Sequence, residues 1–302
     1  MRVAVTGSHG LIGSALTGHL AGAGHDVVRL VRSAPAPDDI EWDPRTGRLD
    51  PAELAGVDVV VNLAGAGIGD RRWTADYKRE IRESRTRGTA LLAAAIAAVA
   101  GQGRPPVLLS ASAIDYYGDR GDEPVDETSP PGSTFLAGVC RDWEAATAAA
   151  ESAGARVVHF RTGIVLAESG GALRKLLPLF KLGLGGRFGS GRQWMSWITL
   201  ADEVGAIEHL MASDVRGAVN LTAPGPVTNA EFAQTLGRVL HRPAVVPVPR
   251  FGPSLIVGRE AAETLLYTGQ RVLPKVLQSD GYEFAHPELE RGLGAVLRVD
   301  EG

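Results

Sequence analysis

Short valine-rich runs, apolar on both faces, recur along the chain between longer helical patterns. They fall at residues 3–5, 27–31, 57–61, 107–109, 157–160 and 219–221, with a weaker run at 40–42. A strand that is apolar on both faces needs cover on both sides, which a parallel sheet between two helical layers provides. The intervening segments read as helices. Residues 11–23 end at Gly24, a helix-terminating glycine, and residues 86–99, 141–152 and 200–211 carry apolar side chains at helical spacing. Thr228-Asn229-Ala230-Glu231 is a capping box opening a helix to about Leu240. This alternation predicts an α/β fold built on a doubly wound parallel sheet. Residues 168–197 and 242–302 break the rhythm, the first rich in glycine and leucine, the second opening on a proline-rich stretch.

The run Gly7-Ser8-His9-Gly10-Leu11-Ile12-Gly13 directly follows the first strand and opens the first helix. Glycines so placed permit a tight turn (Gly7), a close approach of backbone to a pyrophosphate (Gly10) and close helix–strand packing (Gly13). The helix N-terminus adds free N–H groups and a positive dipole end. A Rossmann-type dinucleotide site is therefore expected. His9 either touches a phosphate or faces solvent. An NAD site would place a carboxylate at the end of the second strand, to accept from the ribose 2′-OH. Here that strand ends at Arg32, and the next carboxylate is Asp38. Arginine suits a 2′-phosphate, so NADP(H) is expected over NAD(H). The domain reading is a dinucleotide-binding core at 1–165, completed by about 198–222, with a smaller substrate lobe from 166–197 and 223–302.

Composition narrows the rest. The 302 residues include 31 basic and 35 acidic ones, a net charge of −4. That balance recruits neither nucleic acid nor an anionic membrane. The single cysteine, Cys140, excludes an intrachain disulfide and a four-thiolate metal site. It reads as a small buried hydrophobe. The seven histidines show no zinc-site spacing, so no metal is expected. Glycine at position 7 comes too soon for a signal sequence, and the apolar run at 90–100 is shorter than the roughly 18 residues needed to span a bilayer. A cytoplasmic protein is expected.

Further segments carry a family resemblance. Asn62-Leu63-Ala64-Gly65, Ser110-Ala111-Ser112-Ala113-Ile114-Asp115-Tyr116-Tyr117-Gly118 and Arg161-Thr162-Gly163-Ile164-Val165-Leu166 each close a predicted strand. With the glycine run they resemble the extended short-chain dehydrogenase/reductases. Arg72-Trp73-Thr74, Ser84-Arg85, Trp143-Glu144, Thr268 to Pro274 and Gly281-Tyr282-Glu283-Phe284 narrow the resemblance to the atypical branch of epimerase-family proteins, the nucleoside-diphosphate-sugar epimerase branch. The resemblance covers nearly the whole chain. It implies a nicotinamide dinucleotide contacted by Asp43 at the adenine, by Leu63, Ala64 and Gly65 at the adenosine ribose, by Ser110 and Ser112 beside the nicotinamide, and by Arg161 and Gly163 in the loop under its amide. Related enzymes often pair into a homodimer through two helices at the sheet edge, which here would be those at 86–99 and 141–152, alanine-rich enough for either close dimer packing or ordinary burial.

One departure matters. The family's working members use Tyr-x-x-x-Lys, where the lysine lowers a tyrosine pKa that is otherwise about 10. Residues 135–144 here contain neither residue type. Ser112 alone remains of the usual triad, and Arg85 stands where the structural asparagine belongs. Tyr116 and Tyr117 are the nearest hydroxyls, as proton donors or as packing residues. Arg85 places positive charge near them, near a phosphate of cofactor or substrate, or in a helix-face ion pair. Arg187, Arg192, Trp194 and Trp197 fall where the related enzymes bind nucleotide-linked sugars, as ligand contacts or as lobe packing. Two functions are in view. One is an NADP(H)-dependent oxidoreductase or epimerase on a small carbonyl or sugar-nucleotide substrate. The other is an NADP(H)-binding sensor that does no chemistry.

Overall fold

The structure, a computed structural model, describes residues 1–33, 35–248 and 251–298. In chain order the first half runs β1 (Arg2–Thr6), α1 (Leu11–Gly22), β2 (Asp26–Val31), β3 (Ile40–Glu41), β4 (Val59–Asn62), α2 (Ala75–Val99), β5 (Val107–Ala113), β6 (Pro124–Val125), α3 (Phe135–Ala145), α4 (Ala148–Ser152) and β7 (Val157–Thr162). The second half runs β8 (Ile164–Leu166), α5 (Gly171–Lys181), β9 (Trp194–Met195), β10 (Trp197–Thr199), α6 (Leu200–Ala212), β11 (Gly217–Leu221), β12 (Val227–Thr228), α7 (Asn229–Val239), α8 (Phe251–Val257), α9 (Arg259–Ala262), β13 (Arg271–Val272), α10 (Lys275–Ser279) and α11 (Leu289–Leu297).

Seven strands form one sheet in the order β11-β7-β5-β4-β1-β2-β3, every neighbouring pair parallel. The doubly wound sheet expected from the valine runs is thus present. The two-residue period of β1 sends Val3 and Val5 into a layer with Leu16 and Leu20 of α1 and Ile207 of α6. It sends Ala4 into the opposite layer, with Leu92 and Ile96 of α2. The chain leaves β1 toward β2 and returns on its other side at β4, so the switch point lies between β1 and β4. Ligand crevices form there in open α/β sheets.

Two helices differ from expectation. α2 begins at Ala75, eleven residues before the expected 86, because Thr74 caps it by accepting from Tyr77 N–H. The apolar signal is densest in its C-terminal half, while the first turns are mostly charged and bury Tyr77 and Ile81. The expected helix 141–152 is two helices, α3 and α4. They meet at Thr147, whose hydroxyl donates to the Glu144 carbonyl at 2.8 Å. The capping box at Thr228–Glu231 is formed.

A second core joins Leu173, Leu177, Phe180, Trp197, Phe232, Leu236, Leu289 and Leu293. This lobe does not contain all of residues 223–302. Leu277, Tyr282 and Phe284 pack on the sheet layer instead, and β13 pairs with β6. Asp202 holds the returning chain, accepting from Ala285 N–H at 2.7 Å and His286 N–H at 3.0 Å. Among the described residues no helix is long and apolar enough to cross a membrane, and no cluster suited to a metal ion is present.

Candidate functional site

A cleft of about 940 Å³ opens over the switch point. Gly7, Ser8, His9 and Gly10 form its floor, Arg32 and Ser33 one end, and Leu63, Ala64 and Gly65 its opposite wall. Gly7 sits at φ +65°, and a Cβ there would lie 2.9 Å from the Leu63 carbonyl. A Cβ on Gly13 would lie 2.2 Å from the Gly7 carbonyl oxygen. Both positions exclude any side chain. Thr6 Oγ1 ties loop to wall, donating to Asn62 Oδ1 at 2.8 Å and accepting from the N–H groups of Leu63 and Ala64. Gly10 is the N-cap of α1 and offers no side-chain cap, so the first N–H groups of the helix are left for a ligand. Leu11 and Ile12 turn away from the cleft, Leu11 against Gly170 and Ile12 against the sheet layer.

The cationic end of the cleft is larger than expected. Arg29 is occupied, donating to both carboxylate oxygens of Asp39 at 2.8 and 2.9 Å. Arg32 is exposed, and Arg45 joins it from the turn after β3. Among the described residues neither has an ion-pair partner. The acid expected at the adenine, Asp43, is not in the lining. Its Oδ1 accepts from Arg45 N–H at 2.9 Å, so it shapes the turn that presents Arg45, while Trp42 and Pro44 line the cleft beside it. Arg45 escaped the sequence reading because a turn arginine has no periodicity.

Beyond Gly65, toward β5, lies a second group of polar side chains. Ser112 Oγ donates to Glu144 Oε1 at 2.7 Å. Arg161 grips the same carboxylate through Nε (2.8 Å) and Nη2 (2.9 Å). Burial opposes the Arg161 charge, but Glu144 more than offsets it, and the guanidinium holds its proton more tightly than usual. Arg161 Nη1 donates to Tyr117 OH at 3.0 Å, and that hydroxyl donates to Asn220 Oδ1 at 2.6 Å.

Several expectations are corrected here. Tyr117 is wholly buried, its hydroxyl committed inside the protein, and burial pushes its pKa up to about 12. It does not face a ligand. Tyr116 is half-buried, with the Arg161 guanidinium 3.4 Å from its ring centroid. Arg161 is itself buried and spent on Glu144 rather than passing under a ligand. Gly163 is required by packing, since a Cβ there would meet the Ser196 carbonyl at 2.6 Å and Thr222 at 2.9 Å. Ser110 is fully buried beneath the wall, near Asn62 Nδ2 at 3.4 Å. Trp197 is fully buried in the lobe, donating from Nε1 to the Gly225 carbonyl, so it stacks on no ligand. Trp194 is half-buried, bonded through Nε1 to Asp122 at 2.9 Å, with Arg271 over its ring at 4.6 Å. Arg187 and Arg192 are exposed, and Arg187 Nη1 donates to the Ser190 carbonyl within its own loop. Cys140 is buried, and burial, with Asp115 and Glu144 nearby, pushes its thiol up to about 12.

Two further groups were not foreseen. Glu144 lies one helical turn after Cys140, which sets both on the α3 face toward Ser112. Asp115 opens the turn after β5. Burial pushes its carboxyl up to about 6, against the pull of its own N–H and of Arg85. Neither had a sequence signal beyond its place within a motif.

The comparisons agree with this architecture. Residues 3–222 match the model of the NAD dependent epimerase/dehydratase family, and residues 248–296 match a domain of unknown function, DUF1731. Epimerase family protein Mb2239 of Mycobacterium bovis is 48% identical over 294 residues, covering 97% of this chain and 96% of that protein. The crystal structure of human epimerase family protein SDR39U1 (isoform 2) with NADPH superposes with a TM-score of 0.88 at 37% identity, covering 99% of this chain and all of that one. A nucleoside-diphosphate sugar epimerase from Corynebacterium glutamicum superposes at 0.80 and 37% identity, over 98% of this chain and 58% of that chain. A glycine-floored cleft at the switch point of a seven-stranded parallel sheet, matched by a family model over more than two thirds of the length, has one consistent reading: the chain belongs to the NAD dependent epimerase/dehydratase family.

Proposed function

We propose that this protein binds NADPH in the cleft and acts as an oxidoreductase or epimerase on a small carbonyl or sugar-nucleotide substrate. One observation carries the cofactor choice. Arg32 and Arg45, neither with a carboxylate partner among the described residues, converge at the end of β2, where a 2′-phosphate supplies the missing negative charge. The NADPH in the human relative's crystal structure supports the same choice. The Gly7–Gly13 loop and the uncapped start of α1 fit the pyrophosphate.

When bound, the nicotinamide supplies hydride chemistry. The chain's own contribution is proton handling. Ser112 Oγ–H donates a hydrogen bond to Glu144, and the oxygen keeps its lone pairs for a substrate hydroxyl. A Ser112–Glu144 relay thus replaces the absent Tyr-x-x-x-Lys, with Arg161 fixing the carboxylate. A second reading, an NADP(H)-binding sensor without chemistry, draws support from the internal commitment of the Tyr117 hydroxyl.

A single-turnover experiment separates them. The protein is loaded with one equivalent of NADPH, and reduced-nicotinamide fluorescence is followed as metabolite fractions are added. Loss of signal with one fraction, abolished by Ser112→Ala, supports the oxidoreductase. A constant signal with a changed sugar in the fraction supports the epimerase. A constant signal with nothing changed overturns catalysis and leaves the sensor.

A further inference from the structure

Arg85 is a cation without a matching anion. It projects from α2 and is half-buried, its guanidinium 5.0 Å from the Trp143 ring centroid. Burial lowers its pKa. One nitrogen, Nη1, makes its hydrogen bonds, to the carbonyls of Ala66 and Ile81, each at 3.0 Å. Among the described residues no carboxylate reaches it within ion-pair distance. Asp115 acts on it through space without pairing. The Nε–Nη2 edge therefore has no protein acceptor, and neither nitrogen is among the buried orphans, so both keep access to solvent.

A partly desolvated charge left unpaired is costly, and the free Nε–Nη2 edge is the fork that matches a carboxylate through two parallel hydrogen bonds. Arg85 is absent from the lining of the dinucleotide cleft. It lies behind Gly65, where a Cβ would be 3.1 Å from its Cζ. Its neighbours are Trp143, next to Glu144 on α3, and Asp115, in the turn that follows Ser112 and the end of β5. The other strong cation there, Arg161, is already neutralised by Glu144. The position offers one uncompensated positive charge beside the proposed relay, and Asp115 nearby disfavours a dianion such as phosphate.

We infer that Arg85 anchors the substrate, and that the substrate is a carbonyl or hydroxyl compound bearing a single carboxylate. This rests on the dinucleotide reading and refines its substrate class. In its hydroxyl form the substrate donates to Ser112 Oγ while its carboxylate takes the Nε–Nη2 edge.

The test uses full-length protein saturated with NADP⁺ and oxamate as the probe, with inorganic phosphate as the comparison. Binding is read by calorimetry and by the Arg85 Nε–H resonance, assigned through its loss in Arg85→Lys. The expected result is oxamate binding with a downfield shift of that resonance, at least about tenfold weaker in Arg85→Met. Asp115→Asn, which removes a repelling charge while leaving Arg85 in place, binds oxamate more tightly. No oxamate binding by the wild-type complex, equal binding by Arg85→Met, or preference for phosphate overturns the inference. NADP⁺ affinity is measured first on each variant. Loss of NADP⁺ binding by Arg85→Met with oxamate binding intact reassigns Arg85 to the cofactor. Failure of the wild type to bind NADP⁺ defeats the dinucleotide reading instead.

Discussion

Ser112 on β5 and Glu144 on α3 share a hydrogen bond of 2.7 Å, and the carboxylate that receives it is the counter-ion of Arg161. Ser112 and Arg161 are also register partners on neighbouring strands. One carboxylate therefore joins a strand-end serine, a buried cation and a helix.

Removing that carboxylate leaves Arg161 buried and uncompensated. Glu144→Gln should lower unfolding free energy by about 3–5 kcal/mol, as breaking one side of a buried ion pair does. Urea denaturation of the two proteins checks this. A loss below 1 kcal/mol would show that the pair contributes little.

Arg32→Ala and Arg45→Ala should each weaken NADPH binding about tenfold and leave NADH binding unchanged, because only the 2′-phosphate is lost as a partner. Titration of nicotinamide fluorescence measures both constants. Equal weakening for both dinucleotides would place the arginines on a part the two share.

Gly13→Ala puts a methyl group 2.2 Å from the Gly7 carbonyl oxygen. The loop must move, at about 1–3 kcal/mol. Thermal unfolding should show the loss, and NADPH affinity should fall with it because the displaced loop is the floor of the cleft. Gly22→Ala, with open space around its Cβ position, is the control and should do neither.

Glu203 is fully buried, and burial pushes its pKa up to about 8, against the pull of a hydrogen bond from Thr162. A raised acid pKa means that the folded state holds a proton the unfolded state has released. Stability should therefore fall as pH rises from about 4.5 to about 8, with a slope on the order of 1.4 kcal/mol per pH unit from this group. Glu203→Gln should remove that slope. Urea midpoints from pH 5 to pH 8 decide it, and parallel pH profiles for wild type and variant would refute it.

The sheet, its helical cover and the glycine loop that floors the cleft were legible in the residue order. Each is a local pattern: valines apolar on both faces, a helical repeat, glycines where a strand meets a helix. Arg32 was readable because its place is fixed by the strand it ends. The substitution of Tyr-x-x-x-Lys was also visible, since an absent residue type needs no coordinates. What took its place was not visible. Glu144 meets Ser112, and Arg85 comes to rest behind Gly65, because α2 and α3 pack against the ends of β4 and β5, contacts between residues 20 or more positions apart. Tyr117 and Trp197 failed as ligand contacts for the same reason: a residue type offers a hydroxyl or a ring, but only packing decides whether it faces a cleft or a core. Local chemistry set the elements and the loop, and tertiary contact chose which charges were neutralised and which one was left open.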